Sequence, residues 1–217
     1  MEEVKFIYGC GRPKTTTIII LLVGRKGSGK DTAASMLLPY FESHTRLLSF
    51  AAPIKETLTT LFGFPDVSYF NDQDKKECLW PQYCKSHTPR DLMVWFGTDV
   101  IRKTFGATFW IDRLKTEVCK MGADDTVIVT DARFPNEITE MVDEFGMDVT
   151  TVYIDACDRL GPLGSDAAAP ELAVIETRDM LISLEDSTAF NTKMIDNNGP
   201  IHKLVSNIAI LAMGLHK

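Results

Sequence analysis

Six consecutive apolar residues, Ile18-Ile19-Ile20-Leu21-Leu22-Val23, run straight into Gly24-Arg25-Lys26-Gly27-Ser28-Gly29-Lys30-Asp31-Thr32. An unbroken apolar run of this kind is what a strand buried on both faces requires, as in a parallel sheet covered by helices. The turn that follows has glycines where a Cβ would block inward-pointing backbone N–H groups. Residues 32–38 then read as a helix before Pro39. Inward amides and the positive end of a helix together make a cradle for phosphate oxygens. Lys26, Gly27, Ser28, Gly29, Lys30, Asp31 and Thr32 are therefore expected to hold a triphosphate, with Lys30 reaching its β- and γ-phosphates. The usual pattern places Ser or Thr after the lysine as a magnesium contact. Here Asp31 stands there, so the contact falls either to Asp31, through water, or to Thr32.

The rest of the chain repeats the alternation of strand and helix. Strands are expected at 46–50, 126–130 and 148–154, with a short last one at Met194-Ile195. Helices are expected over 53–61, 88–104, 108–120, 135–145 and 170–181, and from Pro200 to about residue 215. Thr88-Pro89-Arg90-Asp91 carries a capping signature, and Pro53 suits a first helical turn. Strands separated by helices imply a parallel sheet covered on both faces, with ligands at the carboxyl ends of its strands. Segments 24–32, 131–137 and 155–178 each follow a strand and should collect on one edge. Residues 1–17 read as an N-terminal arm. Residues 18–217 read as one domain, with an acceptor-binding insertion at about 60–122 and a lid at about 155–190.

Composition narrows the class. The 217 residues are 45% hydrophobic and 24% charged, ordinary for a globular chain. A net charge of −7 argues against a protein that coats nucleic acid polymers. No apolar run approaches the ~20 residues a membrane-spanning helix needs, and no charged-then-apolar leader is evident. Five scattered cysteines fit neither a disulfide framework nor a zinc site, so free thiols in a cytoplasmic setting are expected.

Thr130-Asp131-Ala132-Arg133-Phe134-Pro135-Asn136-Glu137 follows the third strand. There Asp131 could orient a metal-bound water or accept a proton. Arg133 could grip an acceptor phosphate with two N–H groups. Lys55, Arg90 and Arg102 are further cations on nearby helices. Trp110 and Phe109 fit a core on periodicity alone. Arg159 and Arg178 bracket a loop-rich stretch, and Arg159 is the candidate to close over a migrating phosphoryl group.

With these residues in view, the chain resembles the bacteriophage-type deoxynucleoside monophosphate kinases. The likeness lies in the phosphate loop with its Lys30-Asp31-Thr32 ending and in Phe50-Ala51-Ala52-Pro53-Ile54-Lys55. It continues through Thr88-Pro89-Arg90-Asp91, Gly97-Thr98-Asp99-Val100-Ile101-Arg102, Phe109-Trp110 and Asp131-Ala132-Arg133-Phe134-Pro135-Asn136-Glu137. It covers roughly residues 18–140, and more weakly Asp196-Asn197-Asn198-Gly199. The resemblance implies a P-loop, nucleoside monophosphate kinase-like fold. It also implies transfer of the γ-phosphoryl of ATP, carried with Mg2+, to a deoxynucleoside 5′-monophosphate. Lys55, Arg102 and Arg133 would lie near the acceptor and Trp110 near its base, and an Asp after the loop lysine is usual. A His-x-Ser-Glu-like element of that family has only Leu181-Ile182-Ser183-Leu184-Glu185 as its counterpart here. The animal-type phosphomevalonate kinases share the loop style and the segment Pro53-Ile54-Lys55-Glu56. They usually carry two adjacent arginines where this chain has Arg133-Phe134, which favours the nucleotide reading. A non-catalytic nucleotide-binding interaction protein is the third reading, but the base-reading Asn-Lys-x-Asp run of a GTPase switch is missing. The expected partners are small nucleotides, with no membrane and with a homodimer allowed. The compartment is the cytoplasm, the host's if the chain is viral.

Overall fold

The computed structural model describes residues 17–41, 44–79, 86–122, 125–164, 167, 169–184 and 187–215. The expected N-terminal arm, apart from Thr17, lies outside them, as does Glu185.

Among the described residues, five parallel strands form the sheet: β1 (Ile18–Val23), β2 (Thr45–Leu48), β3 (Thr126–Ala132), β4 (Val149–Asp155) and β5 (Asn191–Asp196), in the order β2-β3-β1-β4-β5. The apolar run is the central strand, with Ile20 paired to Ile128 on one side and Thr150 on the other. Because successive side chains on a strand face opposite ways, this run feeds two cores. Ile20 and Leu22 join Leu204, Ile208 and Leu211 of the terminal helix, while Ile19, Leu21 and Val23 join Leu58, Trp110, Ile111 and Ile138.

The helices are α1 (Lys30–Leu37), α2 (Ala52–Phe62), α3 (Gln73–Lys76), α4 (Pro89–Val94), α5 (Lys103–Phe105), α6 (Phe109–Val118), α7 (Pro135–Phe145), α8 (Cys157–Leu160), α9 (Ala169–Ser183) and α10 (Ile201–Leu215). Their starts follow local chemistry. Thr88 and Asp91 form a reciprocal capping box for α4, and Pro53 sits in the first turn of α2. Between α4 and α5, Trp95–Arg102 is wound as a π-helix, a rare form that often marks a functional wall. The P-loop α/β fold with helices on both faces is as expected from the sequence.

The helix expected over 170–181, inside the segment read as a lid, is present as the fifteen-residue α9, whose Ala173, Val174, Thr177 and Leu181 are buried. One feature departs from expectation. Cys119 is disulfide-bonded, against the expectation of free thiols, whereas Cys78 and Cys157 are free.

Candidate active site

The loop after β1 closes tightly. A Cβ on Gly24 would lie 2.5 Å from Ser28 Oγ and 2.8 Å from the Ile154 carbonyl. Gly29, at φ 98°, caps α1 in the left-handed region, and a Cβ there would lie 2.5 Å from Asn197 Nδ2. Lys30 is buried, and its Nζ donates to the carbonyls of Gly24 and Arg25 at 2.6 and 2.8 Å. Burial first, and then nearby Arg133, lower its pKa to about 8, with Glu171, Asp31 and Asp131 pulling the other way.

Neighbouring strands brace the loop. The Asn197 side chain donates to the Ser28 carbonyl at 2.7 Å, and its backbone N–H donates to Asp155 at 2.6 Å. Arg159, on α8, donates through Nη2 to the Gly27 carbonyl at 3.0 Å and through Nε to the Asn197 carbonyl at 3.3 Å. It therefore lies against the donor loop and is not among the residues lining the large cleft.

That cleft, about 790 Å³, opens beside the loop. Lys26, Gly27, Lys30 and Asp31 line its donor side, and Lys55, Arg90, Arg102, Trp110, Asp131 and Arg133 line the rest. Every acceptor-side residue expected from the sequence thus meets in one cavity with the loop lysine. Ser28, Gly29 and Thr32 do not line it. Trp110 is both core and wall: it is 5% exposed and donates from Nε1 to the Gly97 carbonyl of the π-wound segment at 3.0 Å.

The cations expected at the acceptor side, and Lys26, have internal partners. Lys55 donates to Asn71 Oδ1 at 2.7 Å; Lys26 and Arg90 share Glu77 Oε1, both at 2.6 Å. Arg102 pairs with buried Glu137 and lies over the Phe134 ring, 3.9 Å from its centroid. Glu137 also accepts from the backbone N–H groups of Arg133 and Phe134 at 2.7 and 3.0 Å. Burial pushes the Glu137 carboxyl up, against the pull of Arg102 and those two amides. Arg133 itself pairs with Glu171.

Asp131, at the cleft, accepts three hydrogen bonds from the segment that leads into α2. Oδ1 accepts from Phe50 N at 2.9 Å, while Oδ2 accepts from Ser49 Oγ at 2.7 Å and Ala51 N at 2.9 Å. It clamps the start of α2, the helix that carries Lys55. Asp131→Asn puts an NH2 group opposite an N–H or O–H donor. The variant should lose about 2 kcal/mol and melt roughly 5 °C lower, with a raised acceptor KM. A fall in kcat at unchanged melting temperature would instead support the proton-accepting or water-orienting role.

Ser49, Glu77, Glu137, Glu171 and Asn197 were not assigned to the site from the sequence. Glu137, the third residue of a helix opened by Pro135, and Asn197, in Asp196-Asn197-Asn198-Gly199, stood in segments singled out above, but without a role. Glu171 reaches a partner 38 positions away and Asn197 one 169 positions away, which no local spacing reveals.

A protein of Acanthamoeba polyphaga mimivirus described as "Putative deoxynucleotide monophosphate kinase" is 29% identical over 182 residues, 76% of this chain and 87% of its own. Among solved structures, a gluconokinase from Sinorhizobium meliloti 1021 aligns over 94% of this chain and 98% of its own at a TM-score of 0.45 and 13% identity. A sugar kinase from Janibacter sp. HTCC2649 aligns over 92% and 96% at 0.41 and 16%. No family model matches. The phosphate loop, the cationic cleft and the viral relative together support a kinase as the class of this protein. No helix among the described residues is long and apolar enough to cross a membrane.

Proposed function

We propose that the protein transfers the γ-phosphoryl of ATP to deoxynucleoside 5′-monophosphates, giving diphosphates. The observation that carries this reading is the meeting of Lys30 with Lys55, Arg90, Arg102, Arg133 and Trp110 around one cleft. A phosphate cradle alone binds ATP. A second set of cations facing it, beside a large aromatic ring, suits a second phosphate attached to a base.

The loop amides and Lys30 hold the donor phosphates. Arg133, with Lys55 or Arg102, holds the acceptor phosphate, whose oxygen is already anionic at neutral pH. No strong base is needed, and the protein's work is position and charge neutralisation. Asp131 acts by fixing α2, and Arg159 by fixing the donor loop. Asp31 lines the cleft directly after Lys30 and offers the hard oxygen that Mg2+ prefers, with Thr32 exposed beside it. When bound, the ion would neutralise charge on the donor phosphates.

A coupled ADP-release assay over all deoxy- and ribonucleoside monophosphates, with phosphomevalonate alongside, tests the proposal. The expected result is turnover with at least one deoxynucleotide. Activity with phosphomevalonate and none with any nucleotide would overturn it. Nucleotide-dependent partner binding without acceptor-dependent ADP release would mark a non-catalytic binder.

A further inference from the structure

Glu171 stands where ligand chemistry would place a phosphate. One carboxylate oxygen accepts from the backbone N–H of Lys26 at 3.1 Å, and the other pairs with Arg133 Nη1 at 2.5 Å. The Lys26 amide belongs to the donor loop, and Arg133 is the candidate acceptor grip. A single side chain therefore spans the gap that a migrating phosphoryl group would cross. Carboxylate and phosphate oxygens are both anionic acceptors and recruit the same charged donors.

The fold presents this carboxylate firmly. Glu171 lies in the first turn of α9, which Ala173, Val174, Thr177 and Leu181 anchor in the core. Thr177 donates to the Arg133 carbonyl at 2.7 Å, so helix and arginine are fastened together. The Glu171 side chain is only 15% exposed. Burial alone would raise its pKa, but Arg133, the Lys26 amide and Lys30 outweigh that and hold it below the usual value.

We propose that Glu171 is a built-in competitor for phosphate, which in the free protein engages the Lys26 amide and Arg133 and which phosphoryl ligands must displace. The proposal rests on the kinase reading, since it takes the loop and Arg133 as ligand-binding groups. It makes Glu171 a determinant of affinity for phosphorylated ligands. An ion pair that merely orients Arg133 predicts the opposite sign: its removal would loosen the arginine and weaken binding.

Calorimetric titration with tripolyphosphate, which has no base, and with ATP separates the two. Wild type, Glu171→Gln and Glu171→Ala would be compared, each first checked for cooperative melting. Glutamine keeps the side-chain volume and an acceptor for the Lys26 N–H, so it decides the matter if alanine perturbs the fold. The expected result is a Kd for both probes roughly fivefold lower in the variants, the scale of one partly exposed ion pair. Unchanged or weaker binding in folded variants would overturn the role of Glu171 and leave the kinase reading standing. Failure of the wild type to bind either probe would remove the reading on which the proposal depends.

Discussion

Lys30→Ala is expected to cut ADP release by about a thousandfold or more while leaving a cooperatively folded protein, because it deletes the one buried cation of the donor loop. Normal turnover by the variant would end the kinase reading. The same lysine gives a pH signature that needs no turnover. Its folded pKa of about 8 lies below the ordinary 10.5, so between those values the unfolded chain binds more protons than the native one. Stability from this group therefore rises with pH across that window, and wild type should gain roughly 3 kcal/mol on Lys30→Ala. Denaturant melts of both proteins at pH 8 and pH 10.5 measure the difference. Triphosphate binding favours the charged lysine and should weaken as pH rises above about 8. An affinity that is flat from pH 7 to 9.5 would contradict this placement of Lys30.

Glu137→Ala should be the most destabilising single change at the acceptor wall. It leaves Arg102, whose side chain is 11% exposed, without its carboxylate, and it strips the acceptor from the Arg133 and Phe134 amides. Breaking a buried pair from one side costs about 3–5 kcal/mol, or a fall of about 10 °C in Tm for a chain of this size. Because Arg102 and Arg133 both lose their tether, acceptor KM should rise far more than KM for ATP. Equal effects on both constants would show that Glu137 serves overall stability and has no special tie to the acceptor side. Calorimetry and steady-state kinetics with each substrate varied in turn supply the two readouts.

How much of this was legible in the sequence depended on whether the cause was local. The apolar run 18–23, the glycine loop, the Thr88–Asp91 capping box and the start of α7 at Pro135 all carry their reasons within a few residues. Each appears where expected. Lys55, Arg90, Arg102 and Arg133 were visible as cations, and the shared cleft is what joins them. The carboxylate partners of Arg90, Arg102 and Arg133 were not visible, since Glu77, Glu137 and Glu171 are paired through the fold. Asp131 was seen as a chemical group at a strand end, but the sequence could not reveal that three donors from Ser49, Phe50 and Ala51 would claim it. Within 155–190 the helix over 170–181 was legible, while the core that buries its Ala173, Val174, Thr177 and Leu181 is assembled only by the fold.

The π-wound turn carries a consequence of its own. Gly97 and Arg102 are five residues apart, and both line the cleft. On an ordinary α-helix, residues five apart point about 140° away from each other. The wider winding brings them to one side, where Gly97 meets Ile54 and Arg102 meets Glu137. The aim of Arg102 is thus set by how many residues the segment contains as much as by which residues they are. This stretch can exchange side chains more readily than it can lose a residue, and length is part of its chemistry.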